Sequence, residues 1–265
     1  QKQFNDLKQQ GFKTVAMEVS SHALDQGRVN GVRFDIAVLT NLSRDHLDYH
    51  LTVEAYAEAK RKLFHWPALQ HAVLNLDDAF GLRLAEQLQG GSAQVWGYGM
   101  GDAAHYPTHS VIATAAKFDA QGIQASVVTP LGSGELQAPV LGRFNLHNLL
   151  AALSALLAKG LPLDKALAAL RQVQTVPGRM QRVQVAGKAE DVLVVVDFAH
   201  TPTALQQALR AAKAHTTGRL ICVFGCGGDR DAGKRPLMAK IAEQEANQVI
   251  VTDDNPRTEN PELIF

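Results

Sequence analysis

Short apolar runs alternate with longer amphipathic stretches along the first hundred residues. The stretches at residues 52–64 and 79–88 have helical character. The apolar runs are of strand length, and they predict strands at residues 14–19, 34–40, 72–76 and 93–98. Because strands that alternate with helices form mostly parallel sheets, this pattern predicts an α/β domain whose sheet is flanked by helices.

Residues from about 108 to 141 follow a different pattern. Their short apolar runs are interrupted by glycine and proline, which favours antiparallel ribbons. The runs lie at residues 111–113, 123–128 and 135–140. The simplest interpretation is a small antiparallel side sheet packed on the main domain.

Two helices and a second series of strands follow. Residues 145–159 and 163–173 predict helices, with Gly160 and Pro162 between them. The segment 175–178 breaks this pattern, and strands are then predicted at residues 192–197, 219–224 and 248–252. We therefore predict two domains, a central α/β domain at residues 1–176 and a partial Rossmann-like α/β domain at residues 177–265.

Composition narrows the function classes. The 265 residues are 46% hydrophobic, and Lys plus Arg equals Asp plus Glu at 26 each, so no global field favours nucleic acid. The apolar runs are far shorter than the roughly 20 residues that span a membrane, so we expect no membrane partner.

Cys222 and Cys226 cannot form a disulfide framework, which indicates a cytoplasmic protein, and we interpret them as buried apolar side chains rather than zinc ligands. The sequence begins inside a predicted helix and stops as another begins after Pro261, so we expect a fragment of a longer protein.

Polar side chains follow two of the predicted strands where each strand ends. Glu18 ends the first strand and is followed by Ser20 and His22, and His46 lies in the loop after the next strand. Ligands of open α/β sheets bind at the carboxyl ends of strands, so we expect Glu18 and His46 to face one crevice. Their chemistry suits a divalent cation and phosphates. The residues alone also allow ordinary caps at Ser20 and His22 and an ordinary polar loop at His46.

Lys60 lies in the predicted 52–64 helix, which Thr52 can cap. Arg61 and Lys62 stand beside it, and such a charge run is typical of a solvated helix face. From the residues alone, Lys60 therefore has no assigned function.

Two glycine-rich interpretations of residues 225–235 fail. The spacing Gly228-x4-Gly233-Lys234 fits the start of a phosphate-binding loop, but Arg235 replaces the hydroxyl residue that would bind magnesium. A dinucleotide fingerprint is also broken, because Arg230 stands where its third glycine belongs. A dinucleotide-dependent oxidoreductase is therefore disfavoured.

Residues 254–257 (DNPR) follow the predicted 248–252 strand and are expected at a carboxyl-end crevice. Arg257 offers a rigid fork that pairs with a carboxylate. A capped Asn-Pro turn of purely structural function is an equally open interpretation.

Eight motifs together carry a family resemblance. They are residues 18–22 (EVSSH), 40–50 (TNLSRDHLDYH), 57–64 (AEAKRKLF), 142–148 (GRFNLHN), 177–180 (PGRM), 197–202 (DFAHTP), 225–230 (GCGGDR) and 254–257 (DNPR). With these motifs the sequence resembles the Mur ligases essentially from end to end. It resembles in particular those members that add meso-diaminopimelate to UDP-MurNAc-L-Ala-D-Glu.

The resemblance implies a monomeric, cytoplasmic ATP-dependent amide ligase of peptidoglycan precursor synthesis, which works through an acyl phosphate. It implies ATP as cosubstrate and two Mg²⁺ sites. The family carries its phosphate-binding loop and a uridine-binding domain upstream of the segment equivalent to Glu18, so we expect this chain to be inactive by itself.

The resemblance also implies site residues by position. The implied metal and catalytic set is Glu18, His46 and a carbamylated Lys60, with Arg179 as a further catalytic residue. Ser20, Gln26 and Arg28 are implied to contact the UDP-linked substrate. The implied ATP contacts are Asn148, Arg179, Asp197 and His200, and the implied meso-diaminopimelate contacts are Arg230, Asp254, Asn255, Pro256 and Arg257.

Related activities remain alternatives. A lysine-adding ligase is disfavoured by residues 254–257, since meso-diaminopimelate differs from lysine by one extra carboxylate that Arg257 suits. A folylpolyglutamate synthase-like ligase is disfavoured less strongly by residues 18–24 and 142–148. A non-catalytic binding fragment is the alternative from a different class.

Overall fold

The structure is a computed structural model that describes residues 2–43, 47–183 and 192–264. The predicted metal ligand His46 lies outside these described residues.

A six-stranded sheet forms the centre of the first part of the chain. Its strands lie side by side in sequence order: β1 (Ile36–Leu39), β2 (His71–Asn75), β3 (Gln94–Met100), β4 (Ser110–Asp119), β5 (Gly122–Thr129) and β6 (Gly132–Ala138). Strands β1 to β4 run parallel, and β5 and β6 continue antiparallel. The predicted α/β fold with a mostly parallel sheet is confirmed.

The predicted antiparallel ribbons belong to this same sheet instead of forming a separate side sheet. The first residues of β4, 110–113, pair in parallel with β3. The rest of this ten-residue strand runs on beyond β3 and pairs with β5. One long strand therefore joins the parallel and antiparallel parts.

The predicted helices of this region are present. They are α4 (Val53–Arg61), which continues as a 3-10 turn at Lys62–His65, then α5 (Ala79–Gln87), α6 (Arg143–Ala158) and α7 (Leu163–Leu170). The hydroxyl of Thr52 accepts from the Ala55 amide at 3.1 Å, so the predicted cap of α4 is confirmed. Helix α6 packs across β1 to β4 with Leu146, Leu150 and Leu153 fully buried.

The first fifty residues match their prediction only in part, since the opening helix and the strand at residues 34–40 are present. The described part of this region contains three short helices, α1 (Lys2–Gln9), α2 (Ser21–Asp25) and α3 (Leu47–His50). Residues 14–19 pair with no described strand, and Val15 and Met17 are 44% and 42% exposed. The prediction of a buried strand there is wrong, because an apolar run becomes a buried strand only where neighbouring chain satisfies its backbone and covers its side chains.

The described residues of the second part of the chain form two small sheets. Strands β7 (Gln181–Val183) and β8 (Val194–Val196) are antiparallel, and β9 (Ile221–Phe224) and β10 (Gln248–Val251) are parallel. Helices α8 (Pro202–Ala214) and α9 (Lys234–Glu245) separate the strands, and a 3-10 turn spans Pro261–Leu263. All three predicted strands are present, but within the described residues β8 pairs with β7 rather than with β9.

Both cysteines lie in the core beneath α8 and α9, as predicted. The Cys226 sulfur is 3.9 Å from the Met238 sulfur, and Cys222 is 5% exposed. Burial raises the pKa of both thiols, so they remain protonated apolar groups.

His215 at the end of α8 ties the two parts of the chain together. Its Nε2 accepts from the Gly142 amide at 2.8 Å, and its Nδ1 donates to the Asp119 carbonyl at 2.7 Å. The side chain is only 3% exposed. Nearby, Leu141 and Met180 pack with Ala211 of α8 in a small shared core.

Within the described ranges, every helix is too short or too polar to cross a lipid bilayer.

Candidate active site

Side-chain hydrogen bonds fix the loop after β1 at the carboxyl edge of the central sheet. Asn75 donates to the Thr40 carbonyl at 2.7 Å, and the Leu42 amide donates to the Asp78 carboxylate at 3.1 Å. The buried Tyr98 hydroxyl donates to the Leu39 carbonyl at 2.8 Å. The segment that leads toward residue 46 therefore starts from a defined position at this edge.

Helix α2 presents the residues predicted to contact the UDP-linked substrate. The Ser20 hydroxyl caps the helix by accepting from the Ala23 amide at 3.2 Å, so the capping interpretation is confirmed. Gln26 and Arg28 follow the helix with exposed side chains, and the Gln26 carboxamide donates to the Tyr49 hydroxyl at 3.4 Å. Glu18 precedes the helix and is exposed.

Helix α4, which carries Lys60, packs against α2. The Lys60 ammonium lies 5.0 Å from the ring centroid of Tyr56, one turn earlier, in a cation–π contact. Its neighbours pair elsewhere, since Arg61 is 3.2 Å from Glu58 and Lys62 is 2.7 Å from Asp25. The charge run is thus not a uniformly solvated face, because Lys60 is half-buried against an aromatic ring.

A carboxylate that the sequence analysis missed organises the carboxyl ends of β2 and β3. Asp77 accepts from the Tyr106 hydroxyl at 2.6 Å, from the Met100 amide at 2.9 Å and lies 2.9 Å from His147 Nε2. Burial alone would raise the pKa of Asp77, but these hydrogen bonds lower it below its ordinary value. Burial and the bond to Asp77 raise the pKa of Tyr106 to about 12. The pairing with His147 joins this edge to the first turns of α6.

The first turns of α6 hold two linked asparagines. The Asn148 carboxamide donates to Asn145 Oδ1 at 3.0 Å, and Asn145 in turn donates to the Leu141 carbonyl at 2.7 Å. Asn148 is exposed and Asn145 half-buried. Asn145 was missed although it lies within the GRFNLHN motif, where its spacing from Asn148 would have placed both on one helix face.

The junction between the two parts of the chain assembles three of the predicted nucleotide contacts. Asp197 accepts from the Met180 amide at 2.8 Å and from the Ala199 amide at 2.9 Å, so each of its carboxylate oxygens is hydrogen-bonded to a backbone amide. The Arg179 guanidinium lies 5.7 Å from the ring centroid of Phe198. His200 hydrogen-bonds the Phe198 carbonyl at 3.1 Å. Arg179 and His200 are exposed and Asp197 is half-buried, so the three residues form one cluster at the surface.

Residues 225–230 and 254–257, predicted to bind the amino acid, lie against each other beyond β9 and β10. The Gly228 amide donates to the Asn255 carbonyl at 3.2 Å, and a Cβ on Gly228 would overlap the Pro256 carbonyl. Asp229 accepts from the Thr258 hydroxyl at 2.8 Å, which lowers the pKa of this carboxyl. This close approach, which only glycine allows, places the exposed side chains of Arg230 and Arg257 on paired loops.

The backbone of the second loop is strained. Asn255 and Arg257 have φ values of 40° and 55°, a region that asparagine tolerates and arginine rarely adopts. The ion pair of Arg235 with Glu259, at 2.8 Å, braces the loop from α9 and lowers the pKa of Glu259. Such strain held by surrounding contacts is characteristic of binding loops.

The predicted metal ligands fit magnesium only in part. No group of three or more His, Cys, Asp or Glu side chains in the described part of the chain is arranged to hold a metal ion. Glu18 offers the oxygen ligand that Mg²⁺ prefers. Lys60 as an ammonium offers no acceptor, and it would fit only as a carbamate, which supplies oxygens.

Comparisons with known proteins agree with this arrangement. The family model for the Mur ligase middle domain matches residues 1–156. The model for the Mur ligase, glutamate ligase domain matches residues 178–265. The chain belongs to the Mur ligase family.

Relatives within the family are similar over nearly the whole chain. Several are named UDP-N-acetylmuramoyl-L-alanyl-D-glutamate--2,6-diaminopimelate ligase. The relative from Pseudomonas aeruginosa is 57% identical, over 96% of this chain and 50% of its own length. The relative from Ectopseudomonas mendocina is 55% identical, over 97% of this chain and 51% of its own length. A solved structure of a ligase of that name is 43% identical, with a TM-score of 0.76 over 98% of this chain and 52% of its own. The chain thus spans about half the length of the curated relatives it matches.

Proposed function

We propose that the protein containing this chain is an ATP-dependent ligase that joins meso-diaminopimelate to UDP-MurNAc-L-Ala-D-Glu. The observation that carries the proposal is the 57% identity over 96% of the chain to a relative named for that reaction. The proposal includes a monomeric enzyme working in the cytoplasm, in the synthesis of peptidoglycan precursors.

The proposed reaction has two steps. The D-glutamyl γ-carboxylate attacks the γ-phosphorus of ATP, and ADP leaves as the acyl phosphate forms. The amine of meso-diaminopimelate then attacks the acyl carbon, phosphate leaves, and the attacking nitrogen loses a proton. The first step brings two anions together, so it requires positive charge at the site.

Arg179 is the residue of this chain that we assign to that charge. Its exposed guanidinium stands at the junction, and the loop that carries it is held by the carboxylate of Asp197. In this proposal Asp197 acts mainly by positioning that loop, while Asn148 and His200 contact the nucleotide. Magnesium, when bound, would supply further positive charge against the phosphates.

Glu18, His46 and a carbamylated Lys60 are the proposed metal ligands. Carbamylation requires an uncharged amine, and the carbamate that forms would supply the carboxylate-like oxygens that Mg²⁺ prefers. Ser20, Gln26 and Arg28 around α2 are the proposed contacts of the UDP-linked substrate. The packing of α2 on α4 supports a single site for these residues.

The paired loops at residues 225–230 and 254–257 are the proposed binding site for meso-diaminopimelate. Arg230 and Arg257 offer guanidinium groups, and Asp254 a carboxylate, to a substrate that carries two carboxylates and two amines. Asn255 and Pro256 shape the loop. We place the boundary between the two proposed domains near residue 177, where closure would bring this amino acid to the acyl phosphate.

Phosphate release by the complete protein tests the proposal. The assay contains ATP, Mg²⁺ and UDP-MurNAc-L-Ala-D-Glu, and compares meso-diaminopimelate with L-lysine. Release that depends on meso-diaminopimelate supports the proposal. Release with L-lysine alone would instead show a lysine-adding ligase. If no phosphate is released with either amino acid, this reaction is rejected.

A matched pair of variants connects the specificity to the loop. Arg257→Lys keeps the charge but removes the fork, and we expect it to raise the KM for meso-diaminopimelate about tenfold, as losing a bidentate pairing would. Arg219→Lys, two residues before β9 and outside the loops, is the control.

A further inference from the structure

Helix α3 (Leu47–His50) is too short to be stable by itself, so its neighbours must hold it. Tyr49 in this helix is 38% exposed, and Leu51, which directly follows the helix, is 80% exposed. His50, by contrast, is only 7% exposed and points into the protein. This buried imidazole is the anchor of the helix.

His50 makes a buried hydrogen bond to α2. Its Nε2 lies 2.9 Å from the hydroxyl of Ser21, and Ser21 is 2% exposed. Ser21 is the first residue of α2 and directly follows the cap residue Ser20. Both groups are buried, and the hydrogen bond between them gives this contact a defined geometry.

The same imidazole also packs against α4. Its ring centroid lies 5.4 Å from that of Tyr56 in α4, and it lies equally 5.4 Å from that of His22 in α2. Tyr56 is 6% exposed, and its ring supports the ammonium of Lys60 at 5.0 Å. One side chain therefore contacts the helix that carries Ser20 and the ring beneath Lys60.

Tyr49 adds an outer connection between the same helices. Its hydroxyl donates to Asp25 at 3.0 Å and accepts from Gln26 at 3.4 Å, while Lys62 pairs with the other oxygen of Asp25 at 2.7 Å. The hydrogen bonds from Lys62 and Tyr49 lower the pKa of Asp25, so it stays ionised as the common acceptor. This outer network therefore holds the Gln26 side chain beside Tyr49.

We propose that His50 is a positioning residue that fixes α2, and with it the predicted substrate contacts at its two ends, relative to Lys60 on α4. It contacts neither substrate nor metal in this role. It fixes Ser20 and Gln26 relative to Lys60, so that the UDP-linked substrate is held in the correct position for reaction with the phosphates. This inference rests on the proposed function.

Steady-state kinetics of the complete protein test the inference. The variant His50→Phe keeps an aromatic ring against Tyr56 and loses the hydrogen bond, and Ser21→Ala removes the same bond from the other side. We expect each to raise the KM for UDP-MurNAc-L-Ala-D-Glu and lower kcat, each about tenfold, with the KM for meso-diaminopimelate unchanged. The double variant should be little worse than either single one, since both remove one contact.

Controls separate positioning from a general loss of stability. His109→Phe alters a partly buried histidine packed on Trp96, and Ser154→Ala removes another buried hydroxyl, bonded to the Leu150 carbonyl at 2.8 Å. Both should lower Tm without the change in KM. His50→Gln, whose carboxamide can reach Ser21, should recover most of the wild-type KM.

Binding of UDP-MurNAc-L-Ala-D-Glu, measured by calorimetry without ATP, supplies a readout besides activity. Weaker binding by His50→Phe and Ser21→Ala, but not by Ser154→Ala, supports the inference. If the wild type is active and these variants keep its KM, kcat and affinity, the inference is overturned while the proposed function stands. An inactive wild type that binds no UDP-linked substrate would overturn both.

Discussion

The central sheet and the β9–β10 pair differ in how completely their strands are covered. In β2, Ala72, Val73 and Leu74 are fully buried, as expected for a parallel strand with packing on both faces. In β9, Cys222 is buried but Ile221 and Val223 on either side are 47% and 62% exposed. Similar apolar sequences thus form strands in both places, and only the elements packed around a strand decide whether both faces are buried.

Helix α6 accounts for much of this difference. It lies across four strands of the central sheet and buries a row of leucines against them. Helices α8 and α9 cover one face of the β9–β10 pair through a smaller core that includes Leu205, Leu209 and Met238. The stability of the two regions should therefore respond differently to loss of apolar side chains.

Truncation of Leu136 in β6 should have the largest effect. The residue is fully buried, so Leu136→Ala should lower the free energy of unfolding by about 2–5 kcal/mol through lost burial and the cavity left behind. Val223→Ala, at a 62% exposed position, should change it by less than about 0.5 kcal/mol. Urea denaturation of both variants measures the difference, and equal losses would show that β9 is covered in solution.

Loss of His215 should have the next largest effect, because it connects the two regions. His215→Leu leaves the buried Gly142 amide and Asp119 carbonyl without this partner, which should cost about 1–3 kcal/mol. Thermal unfolding should report a lower Tm than in His105→Leu, where an exposed histidine is replaced. An unchanged Tm in both variants would mean that the junction depends on the apolar contacts alone.

Gly228→Ala should affect binding more than stability. A Cβ at this position overlaps the Pro256 carbonyl, so the two loops must separate and Arg257 must move. We expect the KM for meso-diaminopimelate to rise at least about tenfold, equivalent to about 1.4 kcal/mol. Gly218→Ala, where a Cβ meets only the Thr216 hydroxyl at 3.9 Å, is the matched control and should bind normally.

Acidification should have the smallest effect, through two histidines near the amino edge of the central sheet. Burial lowers the pKa of His71 and of His109. There is therefore a pH range in which both side chains are neutral in the folded protein but protonated in the unfolded chain. Stability should therefore fall as the pH drops below about 6.5, and the dependence should end below the lowered folded-state values. Urea midpoints at pH 7 and pH 5 should differ less in His71→Gln than in wild type, while His105→Gln should keep the wild-type difference.

Local pattern predicted most of the elements because their signals are short in range. Thr52 and the apolar spacing after it define α4, and the Ala/Leu-rich stretch defines α6. The antiparallel ribbons were also predicted, from the glycine and proline residues that interrupt their apolar runs. Their attachment to the main sheet was not predicted. That attachment depends on the length of β4 beyond β3, which no local pattern records.

The candidate site was predicted through its motifs, and the supporting contacts were missed. Asp77, Tyr106 and His147 come from separate segments and meet only in the folded chain. Their individual sequence contexts are ordinary. The predicted strand at residues 14–19 failed for the converse reason, since its apolar run was recognised and its neighbours were assumed.

The sequence by itself determined the α/β class, most helices and strands, the family and the positions of the motif residues, because these depend on local periodicity and on residue identity. Only the tertiary structure decided which strands share a sheet, which apolar faces are covered and which side chains hold the motifs in place. Those features depend on contacts between segments far apart in the chain, such as His215 with Gly142 and His50 with Ser21. The free energy of such a contact belongs to the pair, so neither residue reveals it alone.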